Sequence, residues 1–242
     1  MRHGYTQLVN SAIALRGVLL DIDGTLVLSN DAHAHAWVEA FAARGIRVRF
    51  EDVRPLIGMG ADKIIPGLAP RLSKNEGLGK EIDALRKHIF LSRYAVDLQP
   101  APGARALLER MRADGLRLEI ASSAQEEELQ TLLKMAGVDD LLEPPQSGSE
   151  GKESKPSPDI IAVALERSKL QPQEVVMVGD TPFDILAAAK VGVRTIALRC
   201  GGWDDARLRD AIAIYDHPAD FLAHYDESPI RRPFVTSTHD GR

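Results

Sequence analysis

The 242-residue chain has two aspartates near its N-terminus whose spacing suggests a catalytic or metal-binding role. Asp21 and Asp23 follow the apolar run 17–20, which predicts a short buried strand. Side chains alternate along a strand, so both carboxylates point to the same side. Like charges at the end of an apolar strand repel each other unless a cation or a reaction compensates them. A polar strand end with a turn is the simplest interpretation. The complete run 21–27, DIDGTLV, indicates a metal-assisted nucleophile instead.

Three later segments carry further polar groups that need an explanation. Ser122 ends an apolar run, Lys155 stands shortly before a predicted helix, and Asp180 ends another apolar run with Asp184 four residues later. Each has an ordinary interpretation taken alone: a strand-end hydroxyl, a solvated lysine, a turn residue and a carboxylate at a helix N-terminus. All of them together favour one catalytic site.

The elements that position these residues alternate between strands and helices. Predicted strands cover 17–21, 116–122, 175–180 and 194–198, with a weaker one at 211–215, and predicted helices cover 103–114, 126–135, 159–169 and 183–191. This order predicts an α/β fold: a Rossmann-like, three-layer α/β/α core with a parallel sheet. Ligands of such sheets bind beyond the carboxyl ends of the strands. Asp21, Ser122 and Asp180 all fall at that edge.

One long segment interrupts the alternation. Residues 29–98 contain no convincing strand but show helical patterns at 31–44 and 80–94, around a middle part rich in Gly and Pro. A segment of this length is too long for a loop, so it predicts an inserted small helical cap domain. The predicted division is a core of 15–29 plus 98–226, a cap of 30–97, and tails of 1–14 and 228–242.

In this order, the four segments resemble the four motifs of the haloacid dehalogenase superfamily, whose phosphatases form an aspartyl-phosphate. The resemblance covers roughly residues 17–198, and the helical insertion resembles the cap of subfamily I members, which are phosphoglycolate phosphatase-like or β-phosphoglucomutase-like. It implies Mg²⁺ as cofactor, because a hard cation offsets the repulsion between a phosphate and an anionic nucleophile. The implied metal residues are Asp21, Asp23 through its backbone carbonyl, Asp180 and, nearby, Asp184.

The same resemblance assigns the catalytic roles. Asp21 is the nucleophile that attacks phosphorus, and Asp23 is the acid and base that protonates the leaving alcohol and later deprotonates water. Ser122 holds phosphoryl oxygens, and Lys155 neutralises charge on Asp21 and on the transferred group. The Lys155–Pro156 bond is expected to be cis.

The reaction and its substrate depend on position 23 and on the cap. Members that cleave carbon–halogen bonds lack an acid at the position of Asp23, so its presence argues against dehalogenation. The cap evidence is mixed. The loop with Gly58 and Gly60 resembles that of phosphoglycolate phosphatases, and Lys63 is close enough to replace the basic residue of the mutases. His33 resembles a residue of the mutase-like first cap helix, but a core or surface histidine fits the sequence equally well.

The sequence therefore predicts a Mg²⁺-dependent phosphatase for a small soluble phosphomonoester, either phosphoglycolate or a sugar phosphate. A β-phosphoglucomutase-like phosphomutase and a catalytically idle binding or regulatory protein are the alternatives. The net charge of −5 gives no general attraction to nucleic acid or an anionic membrane. The single cysteine, Cys200, fits a reducing cytoplasm. We expect a cytoplasmic monomer or homodimer.

Overall fold

The computed structural model describes residues 14–142 and 152–232. At its centre is a parallel five-stranded sheet with the order β2-β1-β3-β4-β5. The strands are β1 (Gly17–Leu20), β2 (Arg117–Ile120), β3 (Val175–Gly179), β4 (Arg194–Leu198) and β5 (Ala213–Tyr215). Strands β1 and β3 are buried along their whole length. Continuous apolar strands of this kind are typical of a parallel sheet that helices cover on both faces.

Residues 30–97, between β1 and β2, are mainly helical and contain none of the five strands. Their elements are α1 (Asn30–Ala42), α2 (Phe50–Val53), a 3-10 turn at Arg54–Leu56, α3 (Ala61–Leu68) and α4 (Gly77–Ile89), followed by a π-helical turn at Phe90–Tyr94 and a 3-10 turn at Ala95–Asp97. Helix α1 packs mainly on α4, and also on α2 and on the π-helical turn. The helical nature predicted for this segment is confirmed, whereas its status as a separate domain stays a prediction.

The remaining helices are α5 (Ala104–Ala113), α6 (Glu126–Ala136), α7 (Asp159–Ser168), α8 (Pro182–Lys190), α9 (Asp205–Leu208) and α10 (Pro218–Ala223). Alternate residues of β1 face opposite layers of these helices. Leu19 packs in one cluster with Ile161 of α7 and Ala187 of α8. Leu20 packs in another cluster with Leu107 of α5. The α/β/α layering that the alternation predicts is present.

The boundaries differ from the predictions in ways that bear on the site. Asp21, Ser122 and Asp180 each lie just beyond a strand, because β1, β2 and β3 end one or two residues earlier than predicted. Of the predicted tail 228–242, residues up to 232 are described, and Ser228 and Ile230 are buried there. Residues 233–242 and 1–13 lie outside the described residues. No helix within 14–142 and 152–232 is long and apolar enough to cross a membrane.

Candidate active site

Three buried carboxylates meet at the carboxyl edge of the sheet. Asp21 follows β1, Asp180 follows β3, and Asp184 lies in the first turn of α8. One carboxylate oxygen from each lies within 4.8 Å of the others. The Lys155 Nζ lies 2.6 Å from Asp21 Oδ1 and 2.6 Å from Asp184 Oδ1. The structure therefore brings together four of the candidate residues from the sequence analysis, which come from three separate segments.

Local structure explains why Asp184 faces the site. Thr181 is the N-cap of α8, and its backbone N–H donates to Asp184 Oδ2 at 3.0 Å, while the Asp184 N–H donates to Thr181 Oγ1 at 3.2 Å. This reciprocal capping box occupies one carboxylate oxygen. The other oxygen, Oδ1, is the one beside Lys155. The interpretation of Asp184 as a helix-terminal carboxylate is correct, and it leaves this residue free to contribute to the site.

The electrostatics of this cluster reflect burial and crowding of like charges. Burial raises the pKa of Asp21 to about 7, against the lowering effect of Lys155 and with a further increase from Asp184. Burial, together with Asp21 and Asp184, raises the pKa of Asp180 well above its usual range. Burial alone would lower the pKa of Lys155, but the two neighbouring carboxylates raise it. Lys155 is therefore a permanent cation.

The residues present fit a divalent cation. Three carboxylates surround one ammonium group, so the fully ionised cluster carries two uncompensated negative charges in a buried place. Its donors are oxygens, which hard cations such as Mg²⁺ prefer. Asp21, Asp180 and Asp184 are the side chains that could hold the ion.

Asp180 is held by neighbouring residues, of which the sequence analysis did not identify Asn30 and Gly201. The Asn30 Nδ2 donates to Asp180 Oδ2 at 2.7 Å and to the Gly201 carbonyl at 3.1 Å. The Thr25 Oγ1 donates to Asp180 Oδ1 at 3.2 Å. A Cβ at Gly201 would lie only 1.7 Å from Asp180 Oδ2, so this position has no room for a side chain. The sequence around Asn30 or Gly201 does not indicate this role, because Asn30 is distant from Asp180 along the chain and the fold brings both residues to it.

Asp23 lies apart from the acidic cluster, which we define as Asp21, Asp180 and Asp184. It contacts residues at the beginning of helix α1. The Ser29 Oγ donates to Asp23 Oδ1 at 2.5 Å, and His33 Nε2 is 2.8 Å from the same oxygen. The His33 ring stacks on Phe90, with 3.8 Å between centroids. Burial alone would raise the pKa of Asp23, but His33 and Ser29 together hold it below its usual value. His33 thus contacts the predicted acid and base directly.

The loop that contains Gly58 and Gly60 touches the core beside the acidic cluster. A Cβ at Gly58, whose φ is +107°, would lie 2.7 Å from Thr181 Cγ2. The Gly60 N–H donates to Ser154 Oγ at 2.9 Å. The Lys63 ammonium binds Glu153 Oε2 at 2.8 Å. The structure therefore places Gly58 and Gly60 of the loop, and Lys63 of α3, near the segments that carry Lys155 and Asp184.

A cleft of about 1140 Å³ separates the sheet edge from the inserted helices. Asp21, Asp23 and Ser122 line its core side, and His33 lines the side of the insertion. The Ser122 Oγ accepts a hydrogen bond from the Ala124 N–H at 3.0 Å, so its own proton is free for a ligand oxygen. The Lys155–Pro156 bond is cis, as expected.

Comparisons with known proteins give the family. A family model described as haloacid dehalogenase-like hydrolase matches residues 15–192. The chain belongs to this family of hydrolases, which confirms the predicted family and enzyme class.

Individual relatives and a solved structure are consistent with this family. The chain is 31% identical over 200 residues to the protein SUPPRESSOR OF QUENCHING 1, chloroplastic, of Arabidopsis thaliana; the match covers 80% of this chain and only 19% of that protein. It is 30% identical over 215 residues to a phosphoglycolate phosphatase of Yersinia pestis, covering 88% of this chain and 90% of that one. The crystal structure of a hydrolase from Pseudomonas syringae matches with a TM-score of 0.80 and 25% identity, covering 88% of this chain and 98% of the other. The match confirms the predicted fold class.

Proposed function

We propose that the chain is a Mg²⁺-dependent phosphatase that hydrolyses a small soluble phosphomonoester through an aspartyl-phosphate on Asp21. The buried cluster of Asp21, Lys155, Asp180 and Asp184 at the floor of the cleft carries this proposal. The similarity to a protein named phosphoglycolate phosphatase supports it. Location in the cytoplasm, and a monomeric or homodimeric state, stay predictions.

The first step transfers the phosphoryl group to the enzyme. A carboxylate oxygen of Asp21 forms a bond to phosphorus while the bond from phosphorus to the substrate oxygen breaks. Asp23 gives a proton to that leaving oxygen, and an alcohol is released; because the pKa of Asp23 is lowered, the protonated form that does so is the minor one near neutral pH. Asp21, Asp180, Asp184 and the Asp23 carbonyl would hold Mg²⁺, which would supply positive charge to offset the repulsion between phosphate and carboxylate.

The second step restores the enzyme. Water attacks the phosphorus of the aspartyl-phosphate, Asp23 takes up the proton, and inorganic phosphate leaves Asp21. Lys155 stabilises negative charge on the transferred group, and the Ser122 hydroxyl donates to one of its oxygens. His33 acts as a positioning residue, because its 2.8 Å contact orients the Asp23 carboxyl. Gly58 and Gly60, in the loop before α3, and Lys63, in the first turn of α3, lie beside the site on the side of the insertion.

Substitution of the two aspartates tests the proposal. With p-nitrophenyl phosphate and millimolar Mg²⁺, we expect phosphate release to fall by at least about a thousandfold in Asp21→Asn, because an amide is a poor nucleophile. Asp23→Asn should retain Mg²⁺ binding, since its backbone carbonyl is unchanged, and slow both chemical steps. Thermal melting of each variant checks that the fold is intact. Full activity of a folded Asp21→Asn would disprove the nucleophile.

The alternatives give different results in the same assays. A phosphomutase would release little phosphate but would convert a sugar monophosphate when primed with the bisphosphate. An idle binding protein would release no phosphate from any member of a broad panel of phosphomonoesters at millimolar Mg²⁺.

A further inference from the structure

A second group of buried charges lies in the wall of the cleft, away from the acidic cluster. Its members are Asp83 and Arg86 of α4 and Glu128 of α6, and we call them the Arg86 cluster. Arg86 is 7% exposed and Glu128 is 2% exposed. The Arg86 Nη1 donates to Glu128 Oε1, and the Arg86 Nη2 donates to Asp83 Oδ1 at 3.2 Å. The cluster therefore joins the insertion to the core across the cleft.

One nitrogen of the Arg86 guanidinium has no hydrogen-bond partner among the described residues. This nitrogen is the buried Nε. The guanidinium lies over the Trp37 ring, 5.1 Å from the centroid, and both side chains line the cleft. A buried N–H without a partner is costly, and an oxygen of a bound ligand is one way to satisfy it. This donor is thus an observation that points to a ligand and not only to a tie between helices.

The charge of the wall limits which ligand can bind there. The two carboxylates of the Arg86 cluster outnumber its guanidinium, so the cluster carries a net charge of −1. Neighbouring cations of the cleft are likewise neutralised: Lys87 binds Glu127 at 2.8 Å, and Lys63 binds Glu153 at 2.8 Å. A second anionic group of a substrate would lose its hydration here without gaining an unpaired cation.

Two further lysines line the cleft without an ion pair among the described residues. Lys152 is exposed and Lys74 is partly exposed, so both remain hydrated and offer little to a buried group. A hydroxyl group, by contrast, suits the Arg86 cluster. It can accept from the Arg86 Nε–H and donate to a carboxylate oxygen of Asp83 or Glu128.

We propose that the Arg86 cluster determines substrate specificity by selecting an uncharged, hydroxyl-bearing leaving group and disfavouring one that carries a second anion. This inference rests on the proposed phosphatase function and names its substrate class: the monophosphate of a neutral polyol or sugar. The net negative charge of the Arg86 cluster disfavours a leaving group that carries a carboxylate, as in phosphoglycolate, or a second phosphate.

The test compares kcat/KM for substrates that differ in the charge of the leaving group. The neutral probes are glycerol 3-phosphate and glucose 6-phosphate, and the anionic probes are 2-phosphoglycolate and fructose 1,6-bisphosphate. In the wild-type enzyme we expect the neutral probes to be favoured by about tenfold or more. Glu128→Gln and Asp83→Asn should each shift this ratio toward the anionic probes by about tenfold. Glu166→Gln, an exposed residue of α7 outside the cleft, makes the same change in charge and should leave the ratio unchanged.

Each outcome decides one question. A wild-type preference for the anionic probes overturns the specificity assignment, even if a variant fails to fold. Equal losses with every probe in folded variants also overturn it, because they identify the cluster as a structural tie. Hydrolysis of p-nitrophenyl phosphate is measured alongside: if it is absent, the proposed function fails, whereas activity with the wrong charge preference contradicts only the specificity.

Discussion

At the scale of single residues, Asp180 shows what burying a carboxylate requires. Both of its oxygens accept hydrogen bonds, from Thr25 and Asn30, and glycines at 24 and 201 leave it the space. The bond from Asn30 opposes the rise in pKa that burial and neighbouring carboxylates cause. Asn30 therefore helps to keep Asp180 ionised, which a metal ligand must be.

We predict that Asn30→Ala weakens Mg²⁺ binding by about 10- to 100-fold, the usual cost of removing a hydrogen bond to a ligand. The affinity is measured as the Mg²⁺-dependent rise in melting temperature, which does not depend on activity. Asn75→Ala changes an exposed asparagine with no contact to Asp180 and serves as control. An unchanged affinity in Asn30→Ala would show that Asp180 needs no such support.

We also predict that Cys200 reacts slowly with alkylating reagents. Burial, together with the nearby Asp180 charge, raises the pKa of the Cys200 thiol to about 12. At pH 8 the thiolate fraction should therefore fall by about a thousandfold relative to an ordinary cysteine. Iodoacetamide labelling followed by mass spectrometry, with and without urea, measures this, and Cys200 is the chain's one cysteine. Equal labelling rates in both conditions would contradict the prediction.

At the scale of elements, the loop before α3 connects the insertion to the acidic cluster. Gly58 adopts a φ of +107° and has Thr181 and Phe183 against it. Thr181 in turn caps α8 and binds Asp184. The loop thus contacts Thr181, which orients the predicted metal ligand Asp184. We therefore expect a displacement of the loop to change kcat.

We predict that Gly58→Ala lowers kcat by about tenfold and lowers the free energy of unfolding by ~1–3 kcal/mol, because a methyl group strains φ and meets Thr181. Gly45→Ala is the matched control. Gly45 has a φ of +77° with nothing within 4 Å of its Cβ position, so it carries the backbone strain alone. Chemical denaturation and steady-state kinetics separate the two effects. Equal kcat values in both variants would mean that the contact with Thr181 has no catalytic importance.

At the scale of the whole molecule, the acidic cluster of Asp21, Asp180 and Asp184 suits metal binding but lowers the stability of the folded state. Asp21, Asp180 and Asp184 crowd negative charge into the interior, with Lys155 as partial compensation. Burial and neighbouring charges raise the pKa values of Asp21 and Asp180, so without a bound cation the folded protein holds protons on these two groups that the unfolded chain releases. Its stability must then depend on pH.

We predict that the metal-free protein loses stability as pH rises. The folded pKa of Asp21 is about 7, above the unfolded value of about 3.9, so the folded state binds more protons between these values. From pH 5.5 to 7.5, the free energy of unfolding should fall by about 2 kcal/mol through Asp21. Urea denaturation measures it. Asp21→Asn should reduce the slope, and saturating Mg²⁺ should do so as well. A stability that rises with pH in this interval would contradict the assigned shift.

The meeting of Asp21 and Asp180 at one edge of the sheet could be predicted from the sequence, because each follows an apolar run. Asp21 and Asp180 end apolar strands, and parallel strands bring such ends to one edge. Arg86 and Glu128 had no such signal: both occur in ordinary amphipathic helices, and their contact depends on how the insertion packs on the core. The pairing of Asn30 with Gly201 likewise spans most of the chain, which no periodicity encodes.

The chain leaves and re-enters the core at adjacent points. Val27 and Pro100 form an antiparallel bridge, and the Leu28 N–H donates to the Gln99 carbonyl at 3.0 Å. A segment whose ends are already joined adds little closure entropy when it lengthens, about 0.6 kcal/mol for each doubling. We therefore expect that the helices between these two points can be exchanged, in evolution or by protein engineering, while β1 and β2 keep their register.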